Sequence, residues 1–153
     1  MNKIKATYEI LTSVSEGGIR ELQHIEKIGR VCYKSEDYIT EDGESAKKFV
    51  AMLIRNGHEA MIEHSFLSVK FTVDRGVSHE LVRHRIASFA QESTRYCNYA
   101  KDKFGAECAF IDLEPGIMLD NKMKKMSAEE IALVLAEWKS AMEDAARLYM
   151  NLR

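Results

Sequence analysis

The chain has 153 residues, of which 46% are hydrophobic and 30% are charged, with one proline and eight glycines. This much apolar sequence excludes a disordered polypeptide and is typical of a single domain with one hydrophobic core. The net charge is −2. General attraction to nucleic acid is therefore not expected, and any anion must be bound by a local cluster of basic groups.

The cysteine pattern and the termini bear on location. Cys32, Cys97 and Cys108 are odd in number and form no CxxC pair, which indicates reduced thiols in a cytosolic protein. The N-terminus lacks the apolar core of a signal peptide. No apolar run is long enough to cross a bilayer. We therefore expect a soluble, cytoplasmic protein that binds neither membranes nor nucleic acid.

The first half of the chain predicts one strand and two helices. Residues 4–12 are typical of a strand, and Gly17-Gly18 ends it. Apolar residues then recur every third position, which predicts a helix from Ile19 with one buried stripe; they are Ile19, Leu22, Ile25, Ile28 and Val31. A polar loop over 34–43 precedes a second helix over about 45–56. Its inward residues are expected to be Phe49, Val50, Leu53 and Ile54, and Gly57 is placed for a left-handed C-terminal cap.

The second half alternates shorter elements and ends in a long helix. Residues 65–73 show the two-residue periodicity of a strand with one apolar face. Residues 77–84 indicate a helix, and 107–113 a short strand. Ser127 and Glu130 form the pattern of a capping box before the last helix, with an expected inner face of Ile131, Val134, Leu135, Trp138, Met142, Ala145 and Leu148. No repeat or linker interrupts the chain, so we predict one α+β domain over residues 1–153, with a mixed sheet flanked by helices.

Basic side chains cluster in one short stretch of the chain, at Arg75, Arg83, His84, Arg85 and Arg95. Arginine can hold phosphate or carboxylate through two hydrogen bonds at once. Between these residues lie hydroxyl and amide groups suited to phosphate oxygens and base edges. The stretch therefore predicts a site for a small polyanion. An equally supported interpretation is a solvated basic helix end whose arginines pair with Glu80 and Glu92.

Other kinds of chemistry find less support in the residues. His79 and His84 nearly form an HExxH motif, but five residues separate their directions on a helix by about 140°, so no metal site is expected. No Cys-His nucleophile and no glycine-rich phosphate loop is recognisable. Residues 57–64 (GHEAMIEH) are either a polar cap on the sheet edge or a cofactor-facing loop. In the second case His58 would stack on a ring and Glu63 would accept a hydrogen bond.

Several motifs in order resemble one known family. RHRIASFAQES, over 83–93, fits the Arg-His-Arg, seven residues, Ser signature of the flavin-dependent thymidylate synthases. SHELVRHR resembles the family's approach to that signature, and GHEAMIEHSFLSVKF its loop and strand. GRVCYKS, over 29–35, resembles the end of its first helix, and Ser93-Thr94-Arg95-Tyr96 continues the pattern. The similarity is strong over about residues 29–99 and weaker in the flanks.

The resemblance implies a reaction and its participants. The family converts deoxyuridylate (dUMP) to thymidylate (dTMP), with methylenetetrahydrofolate as the carbon donor. Reduced FAD donates the hydride, and NADPH reduces FAD again. Family members are homotetramers whose active sites lie between subunits, so a second copy is the expected partner. The protein's task is then positioning and electrostatics, while the cofactor carries the hydride.

The resemblance also implies roles for individual residues. FAD is expected to contact Arg83, His84, Arg85, Gln91, Ala60, Glu63 and His58, with His58 lying where folate stacks. Deoxyuridylate is expected to contact Glu80, Leu81, Val82, Arg83, Gln91, Glu92, Ser93, Thr94 and Arg95, with Arg95 at its phosphate. No catalytic residue is assigned within the chain.

Two departures from the family pattern are visible. Ala60 stands where the family often has a serine or threonine that touches FAD. The family's C-terminal block, with an arginine thought to promote ionisation of the uracil ring, has no counterpart before Arg153. We therefore expect either a shortened synthase or a truncated or inactive FAD- and nucleotide-binding domain without turnover.

Overall fold

The computed structural model describes residues 2–152, except for the side chain of Glu16. In this part of the chain the strands are β1 (Asn2–Ile4), β2 (Thr7–Ile10), β3 (Val69–Thr72) and β4 (Ala109–Ile111). The α-helices are α1 (Ile19–Val31), α2 (Glu44–Arg55), α3 (Arg75–Leu81), α4 (Glu114–Ile117) and α5 (Ala128–Asn151). None of these helices combines the length and the apolar character needed to span a membrane.

Two compact units can be distinguished in the described chain. One contains residues 8–70, and the other contains residues 2–7 together with 71–152. The single domain expected over 1–153 stays a prediction.

The unit of residues 8–70 is organised around helices α1 and α2. Its core consists of Ile25, Phe49, Val50 and Leu53, with Leu22, Met52 and Met61 packed against it. Gly29 permits the two helices to approach closely, because a Cβ atom there would lie 2.6 Å from the Phe49 ring. Burial of each large apolar side chain contributes about 1.5–3 kcal/mol, so this cluster stabilises the unit.

A buried carboxylate sits beside this core. Glu26 is fully buried, and its Oε1 accepts hydrogen bonds from Arg30 Nη2 at 2.8 Å and Nε at 3.0 Å. The Ser45 hydroxyl donates to Oε2 at 2.8 Å, which connects α1 with α2. A buried charge is tolerated when it is paired and hydrogen-bonded in this way. The Arg30 guanidinium also lies over the Phe49 ring, 4.5 Å from its centroid.

Strands β2 and β3 pair in a two-stranded sheet. Beyond the strand ends, the Leu11 amide donates to the Ser68 carbonyl at 2.8 Å, and the Ser68 amide donates to the Thr12 hydroxyl at 2.7 Å. On the predicted apolar face of residues 65–73, Leu67 and Phe71 are exposed, whereas Val69 and Val73 are half-buried. This face is therefore only partly covered.

The second unit contains the other sheet and the longest helix. β1 and β4 are parallel, with Asn2 opposite Ala109 and Ile4 opposite Ile111. Helix α5 begins at the predicted capping box, in which the Ser127 hydroxyl accepts from the Glu130 amide at 3.2 Å and the Glu130 carboxylate accepts from the Ser127 amide at 2.7 Å. No side chain of the described part of α5 is fully buried.

The α+β class is confirmed, with several corrections in detail. Residues 4–12 are not one strand, because Lys5 and Ala6 separate β1 from β2, and these strands pair with β4 and β3 respectively. The described strands thus form two two-stranded sheets. The helix predicted over 77–84 is α3, which begins earlier because Asp74 caps it by accepting from the Val77 amide. It also ends earlier, at Leu81.

The predicted inner faces of the helices are only partly correct. Val31 and Ile54 are each 62% exposed. The buried positions of α1 are Ile25, Glu26 and Gly29. In α5, Leu148 is 52% exposed and Ala145 is also exposed, whereas Ala146, Tyr149 and Met150 are half-buried instead. The other residues of that predicted face are half-buried; they are Ile131, Val134, Leu135, Trp138 and Met142.

Candidate functional site

Four of the five clustered basic residues lie on an irregular segment that follows α3, whereas Arg75 is the first residue of that helix. Within residues 82–101 the structure has turns and no helix or strand. The amides of Arg83 and His84 donate to the carbonyls of Glu80 and Leu81, both at 3.1 Å, which continues α3 by a single turn. His84 and Arg85 follow with exposed side chains. The turn that follows α3 therefore exposes the triplet 83–85 to solvent.

The guanidinium groups of this segment are poorly neutralised by their neighbours. Arg83 Nε lies 3.8 Å from Glu80 Oε1, and both side chains are about three-quarters exposed. Glu92 accepts a hydrogen bond from the Tyr99 hydroxyl instead of pairing with an arginine. Within residues 2–152, no carboxylate forms an ion pair with Arg85 or Arg95. Only one of the two expected pairs is present, and the cluster keeps free donors for an external anion.

Hydrogen bonds hold the polar part of the segment in place. The Gln91 side-chain amide donates to the Ser78 hydroxyl at 2.7 Å, which ties the segment back to α3. The Ser93 carbonyl accepts from the amides of Tyr96 and Cys97 at 3.1 and 2.8 Å. This turn carries Thr94 and Arg95 with exposed side chains. Leu81 is half-buried at the end of α3, and Val82 is exposed.

The loop after α2 positions the second set of predicted residues. Gly57 has φ +69°, and its amide donates to the Ile54 carbonyl at 3.2 Å. The amide of His58 donates to the Leu53 carbonyl at 2.9 Å. This pair of bonds is a Schellman motif, which confirms the left-handed cap predicted at Gly57. A 3₁₀ helix over Glu59–His64 follows, and the side chains of Ala60 and Glu63 are exposed on it.

The His58 ring has a defined partner in the same unit. The Tyr33 hydroxyl lies 2.8 Å from His58 Nδ1. The two rings are nearly parallel, at 22°, with centroids 6.5 Å apart. The imidazole is therefore held at one edge, and its other edge is available for contacts.

The predicted site residues are thus divided between the two units. His58, Ala60 and Glu63 belong to residues 8–70, whereas all those from Glu80 to Arg95 belong to the other unit. A cleft of about 250 Å³ is lined by Arg20, Glu21, His24, His64, Ser65 and Phe66. Another, of about 380 Å³, is lined by residues of α5 and 106–108. Neither cleft includes a predicted site residue.

Thiol chemistry and metal binding find no geometric support in the described residues. Burial raises the pKa of the Cys108 thiol, and nearby Glu107 raises it further. Cys108 is therefore protonated near neutral pH, which makes it a poor nucleophile. Cys32, Cys97 and Cys108 are free of disulfides. No group of three or more metal-ligating side chains lies together within residues 2–152.

Comparison with known proteins identifies the family to which the chain belongs. The model of the thymidylate synthase complementing protein family matches residues 19–153. That range contains every predicted site residue, from His58 to Arg95. The chain belongs to this family.

Individual relatives of the thymidylate synthase complementing protein family support the assignment. The flavin-dependent thymidylate synthase of Corynebacterium aurimucosum is 31% identical over 134 residues, which cover 85% of this chain and 51% of the relative. That of Clostridium tetani is 52% identical over 54 residues, or 35% of this chain and 22% of the relative. That of Pyrococcus furiosus is 31% identical over 107 residues, or 66% of this chain and 42% of the relative.

Each of these matches covers only part of the relative's length. The chain spans about half the length, or less, of the relatives that it matches. No solved structure is significantly similar to it. The resemblance inferred from the motifs is therefore confirmed at the level of the family.

Three residues of the site neighbourhood were not identified from the sequence. Tyr33 contacts His58, Ser78 accepts from Gln91, and Tyr99 donates to Glu92. Tyr33 lies in GRVCYKS and Ser78 lies in SHELVRHR, two segments that resemble the family. Their position in these segments is the only feature of the sequence that points to them. Tyr99 lies beyond the motif continuation, after Cys97 and Asn98, and carries no separate signal.

Proposed function

We propose that this chain binds FAD and deoxyuridylate and takes part in flavin-dependent synthesis of thymidylate. The observation that carries the proposal is the exposed segment after α3, whose Arg85 and Arg95 have no carboxylate partner within residues 2–152. Unpaired guanidinium groups favour a ligand with several negative charges. FAD and a nucleotide monophosphate are such ligands, and the relatives named above are flavin-dependent thymidylate synthases.

In this proposal the triplet 83–85 holds FAD. Its charge and its fork-shaped donors fit the pyrophosphate, and its position directly after a capped helix limits the entropy lost on binding. Gln91, held by Ser78, would lie between flavin and nucleotide. When bound and reduced, FAD supplies the hydride. The protein contributes binding and orientation.

Deoxyuridylate would be bound by the same segment and the end of α3. Arg95 would pair with the phosphate, and the hydroxyl groups of Ser93 and Thr94 would donate to its oxygens. The other proposed contacts come from Glu80, Leu81, Val82, Arg83, Gln91 and Glu92. The carboxylates of Glu80 and Glu92 can accept from deoxyribose or uracil donors.

The loop of residues 57–64 would complete the flavin contacts. His58 offers a flat ring near which folate can stack, and Glu63 an acceptor for a flavin N–H group. Ala60 has no hydroxyl, so a backbone group would have to replace the hydrogen bond that a serine or threonine gives. Methylenetetrahydrofolate would provide the carbon, and NADPH the electrons that reduce the flavin.

A second copy of the chain is the proposed partner, within a homotetramer that has sites between subunits. Ile86, directly after the triplet, is fully exposed in the single chain, and Phe89 is 46% exposed. Apolar groups inside a binding segment favour burial against another protein surface. The three free thiols fit a reducing, cytoplasmic compartment.

Tritium release from deoxyuridylate labelled at C5 tests the proposed activity. With FAD, NADPH and methylenetetrahydrofolate present, we expect release that depends on all three. Saturable binding of FAD and deoxyuridylate without release would select the alternative, a binding domain without turnover. Absence of binding as well as of release would contradict the proposed function.

A further inference from the structure

The contact between Tyr33 and His58 joins the hydrophobic core to a proposed cofactor-binding residue. The Tyr33 hydroxyl is 2.8 Å from His58 Nδ1, and the rings are inclined by only 22°. The bond connects Tyr33, which follows the C-terminal cap residue of α1, with the loop that follows α2. Both ends of this connection are anchored in the backbone of the same unit.

Tyr33 is held by the core rather than by solvent-exposed neighbours. Its ring packs edge-on against Phe49, with centroids 6.2 Å apart and planes at 85°. Phe49 is 7% exposed and belongs to the core cluster. The amide of Tyr33 donates to the Arg30 carbonyl at 3.0 Å, and Arg30 itself is fixed by buried Glu26. The hydroxyl of Tyr33 therefore has a defined position.

His58 is anchored from the other side. Its amide bond to the Leu53 carbonyl, at 2.9 Å, closes the Schellman motif, and Leu53 is fully buried. With the backbone fixed there and Nδ1 fixed by Tyr33, the imidazole has little rotational freedom left. An exposed histidine without such a partner samples several rotamers.

The hydrogen bond also constrains the protonation form of the neutral ring, because Tyr33 can donate to Nδ1 only when the ring proton is on Nε2. A phenol hydroxyl is a strong donor, and an unprotonated imidazole nitrogen is a strong acceptor. When Tyr33 donates to Nδ1, the proton of neutral His58 must be on Nε2. The free edge of the ring then presents an N–H donor rather than an acceptor.

We propose that Tyr33 is a positioning residue, which fixes the orientation of His58 and keeps its neutral ring in the Nε2–H form as a donor toward bound flavin. This inference rests on the proposed function, since it assigns His58 to the FAD site. Tyr33 itself contacts neither FAD nor substrate in this scheme and acts through His58.

Nitrogen NMR of the full chain tests the positioning directly. Spectra of the ¹⁵N-labelled protein would be recorded at increasing pH until the imidazole signals no longer change, so that the neutral ring is observed. His58→Gln identifies the His58 signals. We expect an unprotonated Nδ1 and a protonated Nε2 in the unsubstituted chain. Tyr33→Phe should move the Nδ1 signal, whereas Tyr38→Phe, which removes an exposed hydroxyl of the same unit, should not.

A double-mutant cycle with FAD tests whether Tyr33 acts through His58. Tyr33→Phe should raise the dissociation constant of FAD about three- to tenfold, the range expected for the loss of one net hydrogen bond. In the His58→Gln background the same substitution should have no further effect. Circular dichroism checks that each variant is folded.

The outcomes separate this inference from the proposed function. Unchanged His58 signals in Tyr33→Phe, or equal weakening of FAD binding in both backgrounds, would overturn the positioning role. An unsubstituted chain that shows the expected His58 signals but takes up no FAD would contradict the proposed function, while the positioning of His58 would be supported by its spectrum alone.

Discussion

The charge environment of each arginine determines what that residue can bind. Arg83 has a carboxylate at 3.8 Å, but both groups are largely exposed. Such a surface pair contributes about 0–1 kcal/mol, so a phosphate with two charges can displace Glu80 at little cost. Arg85 and Arg95 need no displacement at all, because no carboxylate within residues 2–152 pairs with them. Arg85 and Arg95 can therefore bind an anion without first breaking an ion pair with a carboxylate of residues 2–152.

Arg95 carries the first prediction at this scale. Arg95→Ala should weaken deoxyuridylate binding by about 1.5–3 kcal/mol, because a charge-assisted hydrogen bond to the phosphate is lost. Calorimetric titration measures the change. Arg55→Ala, which removes an exposed arginine at the end of α2, is the matched control and should leave the affinity as it is. An unaltered dissociation constant in Arg95→Ala would remove this residue from the phosphate site.

Individual contacts of the site could be predicted only where a motif supplied them. The position of the triplet 83–85 directly after a helix follows from the sequence, and its exposure agrees with the rule that arginine is rarely buried without partners. The bond between Tyr33 and His58 could not be predicted. It joins residues 25 positions apart and depends on how closely α1 and α2 approach, which Gly29 and Phe49 determine.

At the scale of elements, local signals predicted the helices well. The capping box of α5 and the glycine cap of α2 are determined by neighbouring residues, and both were correctly located. The buried faces were less predictable, because they depend on the partner of each helix. Val31 extends the three-residue spacing of α1, but α2 packs against the face of Ile25 and Gly29, so Val31 remains exposed.

The cap of α2 gives a prediction with a close control. A Cβ atom at Gly57 or Gly116 would meet no other atom within 4 Å, but only Gly57 has a positive φ. Gly57→Ala should therefore lower the free energy of unfolding by about 1–2 kcal/mol, the cost of the left-handed conformation. Gly116→Ala, in α4, should be neutral or stabilising. Urea denaturation compares the two, and equal effects would contradict a strained cap.

The cap of α5 makes stability depend on pH. The backbone hydrogen bond from Ser127, followed by that of its hydroxyl, lowers the pKa of Glu130 below its usual value of 4.5. The carboxylate thus stabilises the folded state above that pH, and the contribution is lost as pH falls through the lowered pKa. Glutamine at this position keeps the hydrogen bond but not the charge.

Unfolding of Glu130→Gln should therefore be compared with the unsubstituted chain between pH 7 and pH 3, a range of about 4 units that spans the usual carboxyl pKa. The variant should be less stable at pH 7, and the difference should shrink on acidification. Glu129→Gln is the control, since Glu129 is not part of the capping box. A stability difference that does not change with pH would contradict the assigned role of the Glu130 charge.

For the whole molecule, composition and motifs indicated the fold class and the family, but not the arrangement of the strands. Residues 4–12 are β-prone throughout, and nothing local shows that Ile4 pairs with Ile111 while the next strand pairs with β3. Long-range pairing is decided by the rest of the chain. The apolar residues Ile86 and Phe89 of the site segment are exposed in the single chain, and in the proposed assembly a second copy would cover them.

A charged substitution at the most exposed apolar residue of the site segment tests the proposed assembly. Ile86 is fully exposed, and Leu119, outside the segment, is 82% exposed. If residues 83–93 lie between subunits, Ile86→Glu should shift the protein toward smaller species in sedimentation velocity, because a buried unpaired charge is costly. Leu119→Glu should not do so. A monomeric unsubstituted chain, or equal behaviour of both variants, would contradict the proposed interface.

FAD uptake by the purified full chain tests most directly whether the exposed arginine segment forms a flavin site. Equilibrium dialysis against FAD, with the absorbance spectrum recorded afterwards, should give a yellow protein that releases FAD on denaturation. The double substitution Arg83→Ala and Arg85→Ala should lose this binding, and Arg55→Ala should keep it. A chain that stays colourless, or that binds FAD equally well without these arginines, would contradict the account.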